Sequence, residues 1–225
     1  MRAASLFLAP LLAALVAAGI TAPARADSVI EAPSISAPRH ASFNGERAST
    51  EAVHTADWVT DSRDNGGLPF LIIDKVQARV FVFDADGRLR GSTPALLGLA
   101  RGDDSVPGIG ERPLSSIRPE ERTTPAGRFV VNMDRNLHGD TIVWIDYDTA
   151  VSLHRVVPGT PKERRAQRLA SPTPLDNRIT FGCINVPAAF FNNVVTPALT
   201  DTAGIAYVLP ETRSARELFS SYDVK

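Results

Sequence analysis

The sequence predicts a mainly β protein, built as sandwich-like mixed sheets with one or two short helices. Several short runs rich in Val, Ile and Phe are separated by turn signals, as expected of strands. The 225 residues include 17 prolines and 15 glycines, which is typical of many turns. Hydrophobic residues make up 44% and charged residues 22%, which argues against wholesale disorder. A net charge of -1 argues against nucleic acid held by charge alone.

Residues 1–26 have the pattern of a secretory signal peptide. Arg2 precedes an apolar, uncharged run over residues 6–20, and residues 24–26 read Ala-Arg-Ala, a small-x-small cleavage site. We expect cleavage before Asp27 and a periplasmic location; the alternative is an uncleaved anchor. After cleavage, no stretch is long and apolar enough to span a bilayer.

Residues 27–67 are rich in Ala, Ser, Pro and small polar side chains without sustained periodicity. This composition predicts a flexible linker or arm, in which His40 and His54 are solvated. The folded domain is expected over residues 68–210, and the tail, residues 211–225, as a loose helix.

Within the domain, hydrophobic periodicity and turn residues predict the strands and helices. The turn at residues 84–87 (DADG) is typical of a hairpin, and proline at the first turn favours a helix over residues 187–195. Residues 98–122 are expected as a loop and residues 158–178 as a charged, proline-bearing insertion. Strands are predicted over residues 78–83, 88–97, 128–133, 141–145, 150–157 and 205–209. Residues 68–74 and 179–186 are short apolar runs, the second around Gly182.

Cys183 is the only cysteine, which excludes an internal disulfide and a Cys-rich metal site. In an oxidising compartment a single thiol is either buried and inert or retained for its reactivity. Gly182 beside it allows close backbone approach to a substrate. His154 is the candidate base, on a predicted strand whose alternation places Ser152 on the same face. From the residues alone, a small core cysteine and a core histidine remain the competing interpretation.

Other chemistries have no support in the sequence. No His, Asp or Glu spacing suits a metal site, and there is no phosphate loop or dinucleotide fingerprint. We therefore expect no cofactor.

Three segments in order resemble the catalytic domain of the L,D-transpeptidases, the YkuD-like family. They are the hairpin over residues 72–98, the TPAGRF element over residues 124–129, and His154 followed by TFGCIN over residues 180–185. The resemblance covers about residues 68–210, and the third segment is the most specific.

The resemblance implies an exported cysteine acyltransferase of the cell wall, which takes peptidoglycan stem peptides as donor and acceptor. Cys183 would be the nucleophile that attacks a tetrapeptide stem and releases D-alanine, with His154 as base and then acid. The acceptor stays open between another stem's amine in a 3→3 cross-link, a lipoprotein lysine and water. The last case is an L,D-carboxypeptidase.

The resemblance also implies supporting roles. The carbonyl of Arg155 would orient the imidazole, and backbone N–H groups of Phe181, Gly182 and Cys183 would form the oxyanion hole. Two further residues, Thr180 and Asn185, would shape the turn and steady the site.

The sequence departs from the family's pattern at three places. Phe181 stands where many members have a second histidine, and Arg155 stands where many have glycine. The third departure is the insertion over residues 158–178, whose basic residues either attract carboxylates of the stem or form a solvated surface.

Two alternatives stay open. A sortase-like transpeptidase also uses Cys and His on a β scaffold, but the Thr-x-x-Thr-Cys strand of that family is missing. A catalytically weak or inactive peptidoglycan-binding or scaffold protein of the same fold is favoured by Phe181 and the insertion.

Overall fold

The computed structural model describes residues 37–225. The predicted signal peptide and the beginning of the predicted arm lie outside the described residues. Eight strands form one mixed sheet in the order β3-β2-β1-β10-β5-β6-β7-β9, and β4 pairs with β8. The strands are β1 Phe70–Asp74, β2 Arg79–Phe83, β3 Leu89–Pro94, β4 Leu97–Gly98, β5 Gly127–Arg135, β6 Thr141–Asp146, β7 Val151–Arg155, β8 Arg178–Thr180, β9 Ile184–Val186 and β10 Gly204–Val208.

The mainly β prediction is confirmed, and each predicted strand overlaps an observed one. The apolar run over residues 179–186 belongs to two strands, β8 and β9, with a turn between them. Strands β1 and β10 run parallel, as do β7 and β9, whereas the other neighbours in the large sheet are antiparallel. The central strands β1 and β10 are buried along their whole length. Both are accordingly continuous apolar runs rather than alternating ones.

The two ends of the large sheet meet. Leu96, just beyond β3, exchanges both backbone hydrogen bonds with Asn185 of β9, at 2.8 and 2.9 Å. The main apolar core contains side chains from both ends of the strand order, including Val82 of β2 and Val186 of β9. The sheet therefore curls around this core, and its closing point lies beside Cys183.

The predicted flexible arm is wrong for the part that the structure describes. Helix α1, Thr50–Ser62, begins at Ser49, whose hydroxyl accepts from Ala52 N–H. One stripe of this helix, which includes Ala52, Ala56 and Val59, is fully buried against the outer face of β1 and β2. The stripe consists largely of small residues, so its hydrophobic period is weak in the sequence.

The C-terminal tail packs on this helix, so the domain extends beyond residues 68–210 at both ends. Helix α5, Ala215–Phe219, places the Phe219 ring 6.3 Å from Trp58 and 5.6 Å from Tyr207. His54 is buried rather than solvated, and its Nε2 lies 2.9 Å from Ser221 Oγ. Residues 37–225 form a single unit by their contacts.

Three further helices follow in the second half of the chain. Short helix α2, Arg165–Leu169, lies in the insertion between 3-10 turns. Helix α3, Ala188–Phe190, continues through a π-helical segment, Phe191–Val195, into α4, Thr196–Leu199. This segment confirms the predicted helix and extends it by four residues. No helix within residues 37–225 is long and apolar enough to cross a bilayer.

A buried polar cluster ties the first hairpin to the later loops. Lys75, fully buried, donates from Nζ to Asp103 Oδ1 at 2.9 Å and to the Thr124 carbonyl at 2.9 Å. Asp103 in turn accepts from the backbone N–H groups of Glu211 and Thr212. The ammonium and carboxylate are thus paired and hydrogen-bonded, as buried charges require.

Candidate active site

Cys183 lies in the tight turn between β8 and β9. The turn needs glycine at position 182, because its φ is +135° and a Cβ there would lie 2.8 Å from the Thr123 carbonyl. Thr180 holds the turn from inside: its Oγ1 donates to the Cys183 carbonyl at 2.7 Å and accepts from Gly182 N–H at 3.1 Å. The turn leaves the Cys183 side chain half-buried.

His154 lies on β7, directly across from Asn185 in the parallel pairing of β7 with β9. Its Nδ1 is 2.8 Å from the Arg155 carbonyl, the contact that the sequence resemblance implies. A carbonyl only accepts, so Nδ1 carries a proton. Its Nε2 is 3.0 Å from Asn185 Nδ2. Both ring nitrogens are therefore held, and the imidazole has a fixed orientation.

The Cys183 thiol and the His154 imidazole shift one another's pKa in opposite directions. Burial would raise the pKa of the Cys183 thiol, but the neighbouring imidazole and Ser152 lower it below its ordinary value. Burial would lower the pKa of His154, but the thiolate and the Arg155 carbonyl raise it above its ordinary value. Each of the two groups thus favours the charged form of the other, and the thiolate is the nucleophilic form of a cysteine.

Two further groups contact the sulfur. Ser152 Oγ lies 3.7 Å from Cys183 Sγ, and the Ala150 carbonyl lies 3.8 Å from it. Strand alternation predicts that Ser152 and His154 share a face, and in the structure both face the cysteine turn. No sequence signal points to the Ala150 carbonyl, because its position depends on the backbone path.

The predicted oxyanion hole is incomplete in this conformation. Gly182 N–H already donates to Thr180 Oγ1, so it is not available to a substrate oxygen while that bond is intact. The N–H groups of Phe181 and Cys183 then remain as the predicted donors to a substrate oxygen.

Phe181 has a partner that the sequence does not reveal. The Arg122 guanidinium lies over its ring at 3.9 Å from the centroid, a cation–π contact. Arg122 is itself held by the Ile117 carbonyl, to which Nε and Nη2 donate. Phe181, in the position where many L,D-transpeptidases have histidine, therefore anchors an arginine beside the cysteine turn.

A cleft of about 430 Å³ opens beside His154. Its lining includes His138 and Asp140 of the polar turn between β5 and β6. Trp144 lines the cleft and stacks on Tyr147 at 4.9 Å. The remaining lining residues are Asn136, Thr141, Ile142, Ser152, His154, Arg155, Val156, Val157, Pro158 and Ala188.

The Arg155 guanidinium packs onto the helix that follows β9, away from the imidazole that its carbonyl orients. Its Nε donates to Asn192 Oδ1 at 2.8 Å, and the guanidinium lies over the Phe191 ring at 4.4 Å. The larger residue at a common glycine position thus fastens β7 to this helix.

Three arginines of the basic insertion bind partners within the fold. Arg165 Nη1 donates to Asn185 Oδ1 at 3.0 Å, and Arg168 Nη1 donates to the Asp176 carbonyl at 2.7 Å. Arg178 pairs with Glu211 at 2.5 Å. Lys162 and Arg164 of the insertion are exposed, as expected of a solvated surface, whereas neither expectation includes the partners of these three arginines. Among residues 37–225, no cluster of His, Cys, Asp and Glu is arranged to hold a metal ion.

No protein-family model and no curated protein matches the chain. Similar solved structures include the helical cell shape determining protein Pgp2 from Campylobacter jejuni (16% identity over 65% of this chain and 49% of that one, TM-score 0.44). They also include the catalytic domain of the L,D-transpeptidase from E. faecium (17%, 63% and 96%, TM-score 0.38). A third is the L,D-transpeptidase from Stackebrandtia nassauensis (12%, 76% and 61%, TM-score 0.38).

The chain spans about half the length of the two Pgp2 structures, 55% and 49%. The matched structures are thus of the type that the sequence resembles.

Proposed function

We propose that this protein is an exported cysteine acyltransferase that acts on peptidoglycan tetrapeptide stems, with Cys183 as nucleophile and His154 as proton carrier. The observation that carries the proposal is the arrangement around the cysteine turn, where Ser152 Oγ lies 3.7 Å from Cys183 Sγ and both nitrogens of the His154 ring are held. The lowered pKa of the thiol and the raised pKa of the imidazole agree with this arrangement. The sequence resemblance over residues 124–129 and 180–185 supplies the substrate class.

The first half-reaction follows from this pair. The thiolate attacks the carbonyl carbon of the third stem residue, the one bonded to D-alanine. A C–S bond forms, and the carbonyl oxygen takes the negative charge. Backbone N–H groups of Phe181 and Cys183 stabilise that oxygen. When the tetrahedral intermediate collapses, the C–N bond breaks, and the imidazolium gives its proton to the departing amine of D-alanine.

The second half-reaction returns the enzyme to its starting state. An acceptor amine attacks the thioester carbon, His154 takes the proton of that amine, and the sulfur leaves as thiolate. With water as acceptor, the same steps give carboxypeptidase action. The lining of the cleft beside His154 contains both polar residues, such as Asp140, and apolar ones, such as Trp144, a combination that suits a peptide with both charged and apolar groups.

The export part of the proposal rests on residues 1–26. Cleavage after Ala26 would give a mature chain that begins at Asp27 in the periplasm. N-terminal sequencing of the protein recovered from a periplasmic fraction tests this directly, and an intact Met1 on that protein would contradict it.

The deciding experiment is mass spectrometry of the protein incubated with disaccharide-tetrapeptide muropeptides, beside Cys183→Ala as the matched control. A dimer that lacks one D-alanine and requires Cys183 supports cross-linking, and a monomer that lacks D-alanine supports carboxypeptidase action. Product formation by Cys183→Ala would overturn the mechanism. Absence of any product, with muropeptide still bound, would favour the catalytically inactive binding protein.

A further inference from the structure

The insertion over residues 158–178 reaches the catalytic pair through two consecutive hydrogen bonds. Arg165 Nη1 lies 3.0 Å from Asn185 Oδ1, and Asn185 Nδ2 lies 3.0 Å from His154 Nε2. Asn185 is almost completely buried, at 1% exposure, so water does not compete for its amide.

The chemistry of these groups fixes the direction of both bonds. A guanidinium donates and never accepts, so the Asn185 carbonyl oxygen must face Arg165. The Asn185 NH₂ group then faces His154, which requires a lone pair on Nε2. The proton of the neutral ring therefore sits on Nδ1, where the Arg155 carbonyl accepts it at 2.8 Å. An imidazolium would bring Nε2–H against the amide hydrogens.

The Arg165 side chain is held in place by a neighbouring carboxylate. Its Nε pairs with Glu163 Oε2 at 2.5 Å, and its side chain is 14% exposed. The pair packs against Gly159, where a Cβ would lie 2.0 Å from Glu163 Oε2 and 2.7 Å from Arg165 Nε. A side chain at position 159 would displace the pair, so the backbone of the insertion leaves room for it.

We propose that Arg165 is a positioning residue that orients the Asn185 amide and thereby holds His154 in its neutral, Nδ1-protonated form. The insertion then restrains formation of the thiolate–imidazolium pair, and release of Arg165 lets the amide turn its oxygen towards Nε2–H. The inference rests on the proposed pairing of Cys183 with His154, but its test needs no peptidoglycan substrate.

Other titratable groups lie near the same imidazole. Cys183 approaches from the β8–β9 turn and raises the pKa of His154, whereas the positive charge of Arg165 on α2 lowers it. His138 and Asp140 line the same cleft from the β5–β6 turn. A substitution at position 165 leaves these other groups in place, so a change in the alkylation profile reports on Arg165.

The test is the rate of iodoacetamide alkylation of the full chain from about pH 5 to pH 9. Cys183 is the only cysteine, so the label reports on this site alone. For Arg165→Met we expect the reactive form to persist to lower pH, with alkylation at pH 6 faster by about threefold. Arg165→Lys keeps a donor-only group and should stay near the wild-type profile.

Arg164→Met is the matched control, because it removes the same charge from the neighbouring, exposed position. An equal shift in Arg164→Met, or a profile of Arg165→Met that coincides with wild type, would overturn the proposal. A second test needs no variant: ¹⁵N-histidine NMR of the wild-type protein should show neutral His154 protonated on Nδ1. Protonation on Nε2 in the neutral ring would contradict the proposed orientation. Neither readout depends on turnover, so failure of the muropeptide assay leaves both interpretable.

Discussion

Ser152 Oγ and Cys183 Sγ lie 3.7 Å apart, although 31 positions separate the two residues in the chain. Ser152 is buried on β7, two residues before His154, and both side chains face the cysteine turn. A hydroxyl at this distance donates to a thiolate more favourably than to a neutral thiol, because the bond to the charged group is the stronger one.

We therefore expect Ser152→Ala to raise the pKa of the Cys183 thiol and to slow alkylation at neutral pH. This effect on the alkylation rate is opposite to the one expected for Arg165→Met in the same iodoacetamide assay. Ser116→Ala, an exposed serine in the loop before β5, should leave the pH profile unchanged. A wild-type profile in Ser152→Ala would mean that the hydroxyl has no part in thiol ionisation.

Gly182→Ala should disturb both the fold and the thiol. The residue has a φ of +135°, and the new Cβ would meet the Thr123 carbonyl at 2.8 Å. We expect a loss of about 1–3 kcal/mol in the free energy of unfolding, measured in urea, and an altered alkylation profile.

Gly108→Ala separates backbone strain from contact at the site. Gly108 also has a positive φ, +71°, but no atom lies within 4 Å of the place that a Cβ would take. This variant should lose stability without any change in thiol reactivity. Equal effects of the two variants on the thiol would contradict a specific need for glycine at position 182.

The Phe181–Arg122 contact should be measurable as a coupling energy. With the guanidinium 3.9 Å from the ring centroid, a double-mutant cycle of Phe181→Leu and Arg122→Met should give about 0.5–2 kcal/mol. Urea unfolding of the four proteins supplies the cycle. Strict additivity of the two substitutions would show that the contact contributes nothing, and that Phe181 only fills space.

Phe219→Ala should destabilise the whole domain, because the tail packs on α1. The ring lies 6.3 Å from Trp58 and 5.6 Å from Tyr207, and loss of this apolar contact should cost roughly 2 kcal/mol. A single cooperative melt at lower temperature is expected from calorimetry. Glu217→Ala, on the exposed side of the same helix, should melt near wild type. An unchanged melt for Phe219→Ala would restore the interpretation of a loose tail.

The sequence and the structure agree where short-range pattern decides the outcome. Alternation along residues 150–157 predicts the face shared by Ser152 and His154, and turn residues predict where the strands begin and end. The contacts that the sequence does not reveal join distant segments, as Arg165 joins Asn185 and Arg122 joins Phe181. Such pairs depend on the paths of two loops, which local propensity does not determine. Helix α1 escapes prediction because its buried stripe is built largely from small side chains.

Asp103 should make the domain sensitive to acid. Burial would raise the pKa of this carboxyl, but hydrogen bonds from Thr212, from Lys75 and from the Glu211 backbone hold the pKa well below its ordinary value. A carboxyl whose pKa is depressed in the folded state stabilises that state above its unfolded pKa, about 3.9. That stabilisation is lost as the pH falls from about 4 through the folded-state pKa.

The variant that tests this is Asp103→Asn, which leaves the buried Lys75 ammonium with only a distant carboxylate, Glu211, at 3.9 Å. We expect a loss of about 3–5 kcal/mol at pH 7 and a smaller difference from wild type at pH 3, both from urea unfolding. Asp104→Asn is the control, because its carboxylate is 80% exposed and pairs with Arg213 at the surface. That variant should lose less than about 1 kcal/mol. A difference between Asp103→Asn and wild type that stays constant from pH 7 to pH 3 would show that Asp103 has the same pKa folded and unfolded.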